Sequence, residues 1–509
     1  MSFRRLVEEW LPLFEMNFHS EVEIAFRISR NKYRPYFVKL YGNEPLVLNV
    51  GTPQLNDLHP WLARRPTASA RILTLASVLP ANFSKDLFRE LAGLTNIPGL
   101  AGQKILPILL NSNPKRELIK SILLEVIGRS SEDVVIVDPM AGGGSIPLEA
   151  LRLGFRTIAI EYNPVAYLIL KATLEYPAKY GMRLYEELRA EANKLINWAR
   201  EELGKYYPED AMNYIIARGY KCRSCGGLIP IIHSTRLGKN GPYIKLTFDK
   251  EGKSFTVDIS SVETEFTRLR CPYCKAPVVE DLALRDWASR HKRLLKTALS
   301  GDFKQAKEFI GELTQTHILL IKQTKRGFTV TSKEDVDRFT DAYLDLTRLI
   351  GELRGFIPSD PIPRENEVFK PVTDLGIEYW YELFNPRQLL TFLKLIKYVR
   401  GRAEELIKDN GEYGAAIATY LALGLDKLLN YNNITTTWHS TRGLIRDLTG
   451  HYASGRSVSL GLEYCEAKRI DLALNWVFEP DVEKPTATRG GICPVVKHLD
   501  NQRKLWILS

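Results

Sequence analysis

Short, dense apolar runs alternate with long amphipathic stretches along this chain, and the sharpest run lies near residue 135. Val134-Val135-Ile136-Val137 leads straight into Asp138-Pro139-Met140-Ala141-Gly142-Gly143-Gly144-Ser145, and a second run, Thr157-Ile158-Ala159-Ile160, ends on Glu161. Apolar runs of this length bounded by glycine read as buried strands, so the pattern predicts a βαβ unit over 133–176. Upstream, residues 1–20 read as a helix and 21–50 as irregular or short-stranded. Two helices follow Pro66, to about residue 96, and a helical connector covers about 103–129. One long charged helix is predicted over 180–206. The runs Tyr243 to Phe248 and Ser254 to Ile259 alternate like the arms of a β-hairpin. Helices dominate 285–355, with one short strand at Gly327 to Val330, and the Pro-rich stretch Gly355 to Asn366 reads as a linker. Two long helices follow at about 386–409 and 413–430. Beyond Asn432 the chain turns irregular, and Leu505 to Ser509 reads as a strand.

Length and composition set the frame for these elements. A chain of 509 residues is expected to form about two to four domains. The expected divisions are a helical region at 1–130, the βαβ unit at 131–210, a cysteine-bearing module at 211–284, helices at 285–360 and a mixed region at 361–509. No apolar run approaches the roughly 18 to 20 residues of a membrane span, and the start of the chain has no signal-peptide core, so a cytoplasmic protein without a membrane partner is expected. The net charge is +10, yet residues 221–300 alone carry 15 Lys or Arg against 8 Asp or Glu. Charge concentrated in one segment points to an anionic partner there, with nucleic acid first; the alternative is a solvated basic surface.

Two groups of residues carry chemistry. In the first, glycines permit close backbone approach after a strand, and an acid at the end of the next strand can accept both hydroxyls of a ribose. The spacing is not the dinucleotide fingerprint, and a tight βα turn without a ligand is the alternative. In the second, Cys222/Cys225 and Cys271/Cys274 form two Cys-x-x-Cys pairs. Two thiolates on each of two turns close a tetrahedron around a structural Zn²⁺ and leave no open position for catalysis; disulfides or a redox pair are the alternatives. The 45 residues between the pairs hold the predicted hairpin, as in a zinc ribbon with an insertion. Cys465 and Cys493 read as packing residues. After the ribbon, Arg290, Lys292, Arg293 and Lys296 would form a basic helical stripe able to lie along phosphates.

The Asp138–Gly144 loop resembles the S-adenosylmethionine (SAM) loop of DNA amino-methyltransferases. In order, the stretch His59-Pro60-Trp61-Leu62-Ala63-Arg64-Arg65-Pro66, this loop, the four-cysteine ribbon and Phe384-Asn385-Pro386-Arg387-Gln388 are similar to the large zinc-ribbon-containing adenine-specific DNA methylases. Trp438, Arg442 and Gly455 match more loosely, and Leu62 stands where a second Trp is usual. The resemblance implies an α/β fold with a Rossmann-like SAM-dependent core. Asp138, Pro139, Ala141, Gly142 and Gly144 would shape the methionine end of the SAM pocket, Glu161 would bind the ribose, and Asn163-Pro164 would lie near the adenine. His59, Arg64 and Arg65 would approach the cofactor carboxylate or the DNA backbone; a surface ion-pair cluster is the alternative for the two arginines. For Asn385-Pro386-Arg387 the alternative is a helix cap with proline at its first position.

One element of that resemblance is missing. Amino-methyltransferases hold the target amino group with Asp/Asn-Pro-Pro-Tyr/Phe, and this sequence has no Pro-Pro. Asn163-Pro164 and Asn385-Pro386 lack the aromatic residue. The expectation is therefore a SAM-binding and DNA-recognition part of an N6-adenine or N4-cytosine methyltransferase, completed by a second polypeptide that pairs with the terminal strand. A non-catalytic DNA-binding or regulatory subunit, or an RNA methyltransferase, are the alternatives.

Overall fold

The computed structural model describes residues 4–28, 47–48, 58–59, 61, 63–94, 104–105, 114–264, 270–446, 448, 457–467 and 505–508. Helix and strand are mixed throughout, and no described helix is long and apolar enough to cross a membrane. Two units separate: residues 1–191, 406–420 and 475–509 form the first, and 192–405 with 421–474 the second.

The first unit begins with helices α1 (Leu6–Glu9), α2 (Leu13–Ile28), α3 (Thr67–Val78), α4 (Lys85–Ala92) and α5 (Arg116–Ile127). The Ser84 hydroxyl caps α4, and Gly93 closes it in the left-handed conformation. The apolar stripes of α3, α4 and α5 meet around Ile72, Leu75, Phe88, Leu91, Ile119 and Leu123, with Phe155 beneath them. Strand β1 (Val47–Leu48) pairs in parallel with β2 (Lys104–Ile105).

The predicted βαβ unit is present as β3 (Val135–Asp138), α6 (Ser145–Arg152) and β4 (Arg156–Ile160). Strands β3 and β4 run parallel, with Asp138 opposite Ala159. The terminal run also forms a strand, β14 (Leu505–Leu508), and lies parallel to β4 on the side away from β3. As an edge strand of this sheet, β14 keeps its outer side without a partner strand among the described residues. Thr157 and Ala159 face inward, with Ala159 packed among Leu148, Leu151, Leu170 and Leu174. The opposite face carries Val135 and Val137, 41% and 53% exposed. Helix α6 is locked to α3 by a buried triad: Arg71 Nε lies 2.5 Å from Glu149 Oε2, and Arg152 Nη1 2.7 Å from Glu149 Oε1. Burial opposes the Glu149 charge, but the guanidiniums of Arg152 and Arg71 outweigh it and hold the carboxyl below its ordinary range.

After α7 (Pro164–Leu170) a π-helical turn, Lys171–Glu175, leads into α8 (Tyr176–Leu203), which breaks at Gly181 (φ +56°). The chain passes from the first unit to the second within α8. The second unit is built on β5 (Asn213–Lys221), which pairs antiparallel with β6 (Leu228–Ile231), β9 (His317–Thr324) and β13 (Glu463–Ala467); β10 (Gly327–Val330) extends the β9 edge. The predicted hairpin is β7 (Tyr243–Asp249) with β8 (Ser254–Ser260). Helices α9 (Glu280–Ser300), α10 (Phe303–Glu308), α11 (Ile310–Thr316) and α12 (Lys333–Leu353) follow the ribbon, and two long helices span Pro386–Asn410 and Glu412–Tyr431.

The ribbon is therefore not a separate module, since its first strand is the centre of the unit's main sheet. Nor is Gly355 to Asn366 a linker: Ile362 is buried, and its N–H donates to the Glu378 carbonyl at 2.8 Å. Two of the sheet strands, β9 and β13, lie where helix or irregular chain was expected. Gly455 and Cys493 lie outside the described residues, as do Pro60, Leu62 and most of 21–50.

Candidate functional site

The glycine turn connects the end of β3 to the start of α6, so its backbone sits at the carboxyl end of a parallel sheet. Gly142 and Gly144 take left-handed conformations, φ +51° and +81°, and Gly144 is the N-cap of α6. The turn is tied to β4, because Ala141 N–H donates to the Ile160 carbonyl at 3.0 Å. Asp138 is buried at the strand end and accepts the Met140 N–H at 3.2 Å; burial raises its pKa. Glu161, at the end of β4, reaches across the crevice: Oε2 accepts the Gly142 N–H at 2.5 Å and Oε1 the Asn163 N–H at 2.9 Å. Pro139 and Met140 are exposed at the lip.

The segment around residue 61 comes to this turn. A Cβ built on Gly142 would lie 3.0 Å from Trp61 Nε1, and one on Gly143 would lie 2.8 Å from Trp61 Cδ1 and 3.0 Å from Arg64 Cζ. The Ser145 hydroxyl donates to the Arg65 carbonyl at 2.6 Å. These glycines thus admit Trp61 and Arg64, and Gly144 admits Leu170 and Leu174. Trp61, which the sequence reading left out of the site, forms its wall. His59 is half-buried in the same segment and Arg65 is exposed. Arg64 is only 5% exposed, so it faces the turn and not a surface phosphate path, a correction to its DNA reading.

Asn163 also has a local role. Its side-chain oxygen caps α7, accepting the N–H groups of Val165 and Ala166 at 2.9 and 3.3 Å, ahead of Pro164. The second imperfect stand-in for the missing motif, Asn385-Pro386, is likewise a cap: Asn385 Oδ1 accepts the Gln388 N–H at 2.8 Å, and Gln388 Oε1 accepts the Asn385 N–H at 3.0 Å. Asn385 and Arg387 are fully buried. Arg387 makes a two-pronged ion pair with Glu466, 2.8 and 3.0 Å, inside a wall of Tyr207, Tyr214 and Phe339 rings. Asn385 Nδ2 donates to Glu466 and to the Tyr464 hydroxyl.

From Tyr464 the network continues through two buried histidines. His317 Nδ1 lies 2.9 Å from that hydroxyl, His317 Nε2 lies 3.1 Å from His291 Nδ1, and His291 Nε2 lies 2.9 Å from the Glu382 carbonyl. A carbonyl only accepts, so His291 donates through Nε2; His317 then donates to His291, and Tyr464 to His317. Each ring has one proton. Burial pushes His291 down to about 3 and His317 well below its ordinary value, which agrees with neutral rings. This constellation is structural, and Trp438, bonded to the Leu237 carbonyl, is too.

The four predicted ligands converge. Sulfurs of Cys222 and Cys274 lie 3.7 Å apart, those of Cys225 and Cys271 also 3.7 Å, and all four lie within 4.8 Å of one another. Thiolates about 2.3 Å from a tetrahedral ion sit about 3.8 Å apart, so the donor set is compatible with structural zinc. The two knuckles match: Gly226 N–H bonds the Cys222 carbonyl and Lys275 N–H the Cys271 carbonyl, with both residues left-handed at φ +76° and +65°. The Tyr273 ring lies where a Cβ on Gly227 would be. Cys465 is fully buried, as expected of a packing residue.

The basic stripe on α9 is not assembled as expected. Arg290 is inside, donating to the Gly219 carbonyl, Thr316 and Asp286. Lys292 bonds Glu378 and the Gly376 carbonyl, and Arg293 pairs with Glu312. Only Lys296 of the four is exposed without such a bond among the described residues. The helix buries Trp287, His291, Leu294, Leu295 and Ala298, and its cations hold down its flanks. An open groove of about 1030 Å³ near Leu203, Met212 and Arg326 includes none of the residues singled out from the sequence. No family model, curated protein or solved structure matches this chain.

Proposed function

We propose that this chain is the SAM-binding and DNA-recognition part of a DNA amino-methyltransferase, with β3, α6 and β4 as a Rossmann-like core. One observation carries the reading: a glycine turn and an acid stand side by side at the carboxyl ends of adjacent parallel strands, where α/β sheets bind nucleotides. The residues fit the cofactor. Glu161 offers a carboxylate suited to a ribose, Asp138 a buried carboxylate suited to an ammonium, Arg64 a cation suited to a carboxylate, and Trp61 an apolar wall. SAM, when bound, supplies an electrophilic methyl group. The chain's own residues orient the ligand and exclude water, which is the main protein contribution to an in-line displacement.

A second polypeptide belongs to the same proposal. Asn163 and Asn385 are engaged as helix caps, so neither stands in for the target-binding motif. Parallel strands are ordinarily covered on both faces, whereas Val135, Val137 and Met140 are 41%, 53% and 86% exposed and β3 is an edge strand among the described residues. The catalytic chain would cover this face. Tritium transfer from labelled SAM to duplex DNA, with SAM binding by equilibrium dialysis, tests the reading. Binding without transfer by the purified chain is expected; absence of SAM binding would sink it, and transfer by the chain alone would remove the second polypeptide.

A further inference from the structure

The excess charge of the cysteine segment does not reside mainly on α9. Residues 221–279 hold ten Lys or Arg against five Asp or Glu, while α9 holds five against three. The fold gathers six of those ten around the four-cysteine centre. Lys221 and Arg223 flank Cys222, Arg270 precedes Cys271, and Lys275 follows Cys274. Lys253 Nζ donates to the Cys225 carbonyl at 2.8 Å, which brings the β7–β8 turn, with Lys250, to the first knuckle. All six are exposed, and none has a carboxylate at ion-pair distance among the described residues. Arg290, Lys292 and Arg293 of α9, by contrast, face Asp286, Glu378 and Glu312.

We propose that the paired knuckles and the β7–β8 turn form the surface of this chain that contacts the phosphate backbone of duplex DNA. The proposal rests on the DNA-methyltransferase reading and moves its contact from α9 to the ribbon. Compact cations on rigid turns suit phosphates, which position a protein without reading sequence. Three aromatic residues of the ribbon are committed to each other: Phe248 packs on Phe255 and on Tyr273, whose hydroxyl bonds the Leu228 carbonyl. With these three rings so engaged, the surface fits a duplex and not a single strand. The rival role for the cations is neutralising the thiolates. A tetrathiolate zinc centre has a net charge of about −2, and the β7–β8 turn adds the carboxylates of Asp249 and Glu251, together still fewer charges than the six cations around it.

The test compares two variants of the full chain by fluorescence anisotropy with a labelled duplex across a salt series, with zinc content and SAM binding measured in parallel. The quadruple change Lys221→Ala, Arg223→Ala, Lys250→Ala, Lys275→Ala should weaken binding about a hundredfold at ~0.1 M salt. It should also flatten the log–log salt slope by roughly 3 to 4. Zinc content and SAM binding should stay at wild type. The control Arg285→Ala, Arg293→Ala, Lys296→Ala on α9 should leave affinity and slope unchanged. Wild-type DNA affinity in the quadruple variant, loss of zinc in its place, or tighter binding to an RNA of equal length would each overturn the proposal. SAM binding, read separately, decides the methyltransferase reading on its own.

Discussion

The two main sheets use their apolar and charged residues in opposite ways. In the second unit even the acids of β13 are inside: Glu466 is fully buried against Arg387, and Glu463 accepts the His233 N–H. In the first unit a parallel sheet leaves two valines of β3 in solvent. The buried acids of one sheet are paired within its own unit, and the other sheet presents a crevice beside an exposed face. On the proposed reading, the difference separates scaffold from working surface.

The largest effect should come from opening the closed sheet. Glu466→Ala leaves the Arg387 guanidinium buried without a counter-charge, and urea unfolding should show a loss of about 3 to 5 kcal/mol. A loss under ~1 kcal/mol would mean the pair is not enclosed as described. Acid attacks the same region through His291 and His317. An unfolded imidazole takes its proton near pH ~6.5, whereas His291 in the fold resists until about 3. Stability is therefore full above ~6.5 and falls as pH drops toward ~3, by up to about 1.4 kcal/mol per pH unit for each histidine. The urea midpoint should decline between about pH 7 and pH 5, and His317→Phe should reduce that slope.

Changes in the first unit should act on ligands more than on stability. Glu161→Ala is expected to weaken SAM binding at least about tenfold while costing roughly 1 kcal/mol of stability, because it removes two backbone contacts, one part-buried and one exposed. Equal SAM affinity in the variant would remove Glu161 from the site. The smallest intrinsic effect belongs to Val137→Asp, which should shift the stability of the isolated chain by under about 0.5 kcal/mol. On the proposed two-chain reading, the same change should abolish methyl transfer reconstituted with the catalytic chain; full activity would show that the face needs no cover.

Local rules read well where local physics decides. Asn385 followed by Pro386 marks a helix start, and the Pro386–Asn410 helix begins there. The cysteine spacing alone places four sulfurs together. Long-range packing defeated the reading elsewhere. Strand β13, Glu-Tyr-Cys-Glu-Ala, has two acids and no strand signature, and is held by Arg387, Asn385 and the Thr436 hydroxyl from distant segments. Strand β9 follows α11 with no intervening breaker. The glycine turn is legible in the sequence, but what its glycines admit is not, since nothing local to Gly143 announces Trp61 or Arg64. Arg290 looks like a surface charge in the sequence because its acceptors, Gly219 and Thr316, are distant along the chain.

The pairing of β14 with β4 has a consequence for how the chain comes together. Ile160 and Leu505 belong to one sheet although about 340 residues intervene, a long loop to close from an unfolded chain. The second unit shortens it, because Asn213 and Ala467 are paired across β5 and β13. Once that pairing forms, the effective loop is about 90 residues, a saving of about 1 kcal/mol in closure entropy. The crevice is thus expected to assemble after the inserted unit has folded, so damage to β13 should delay formation of a site to which it contributes no atom.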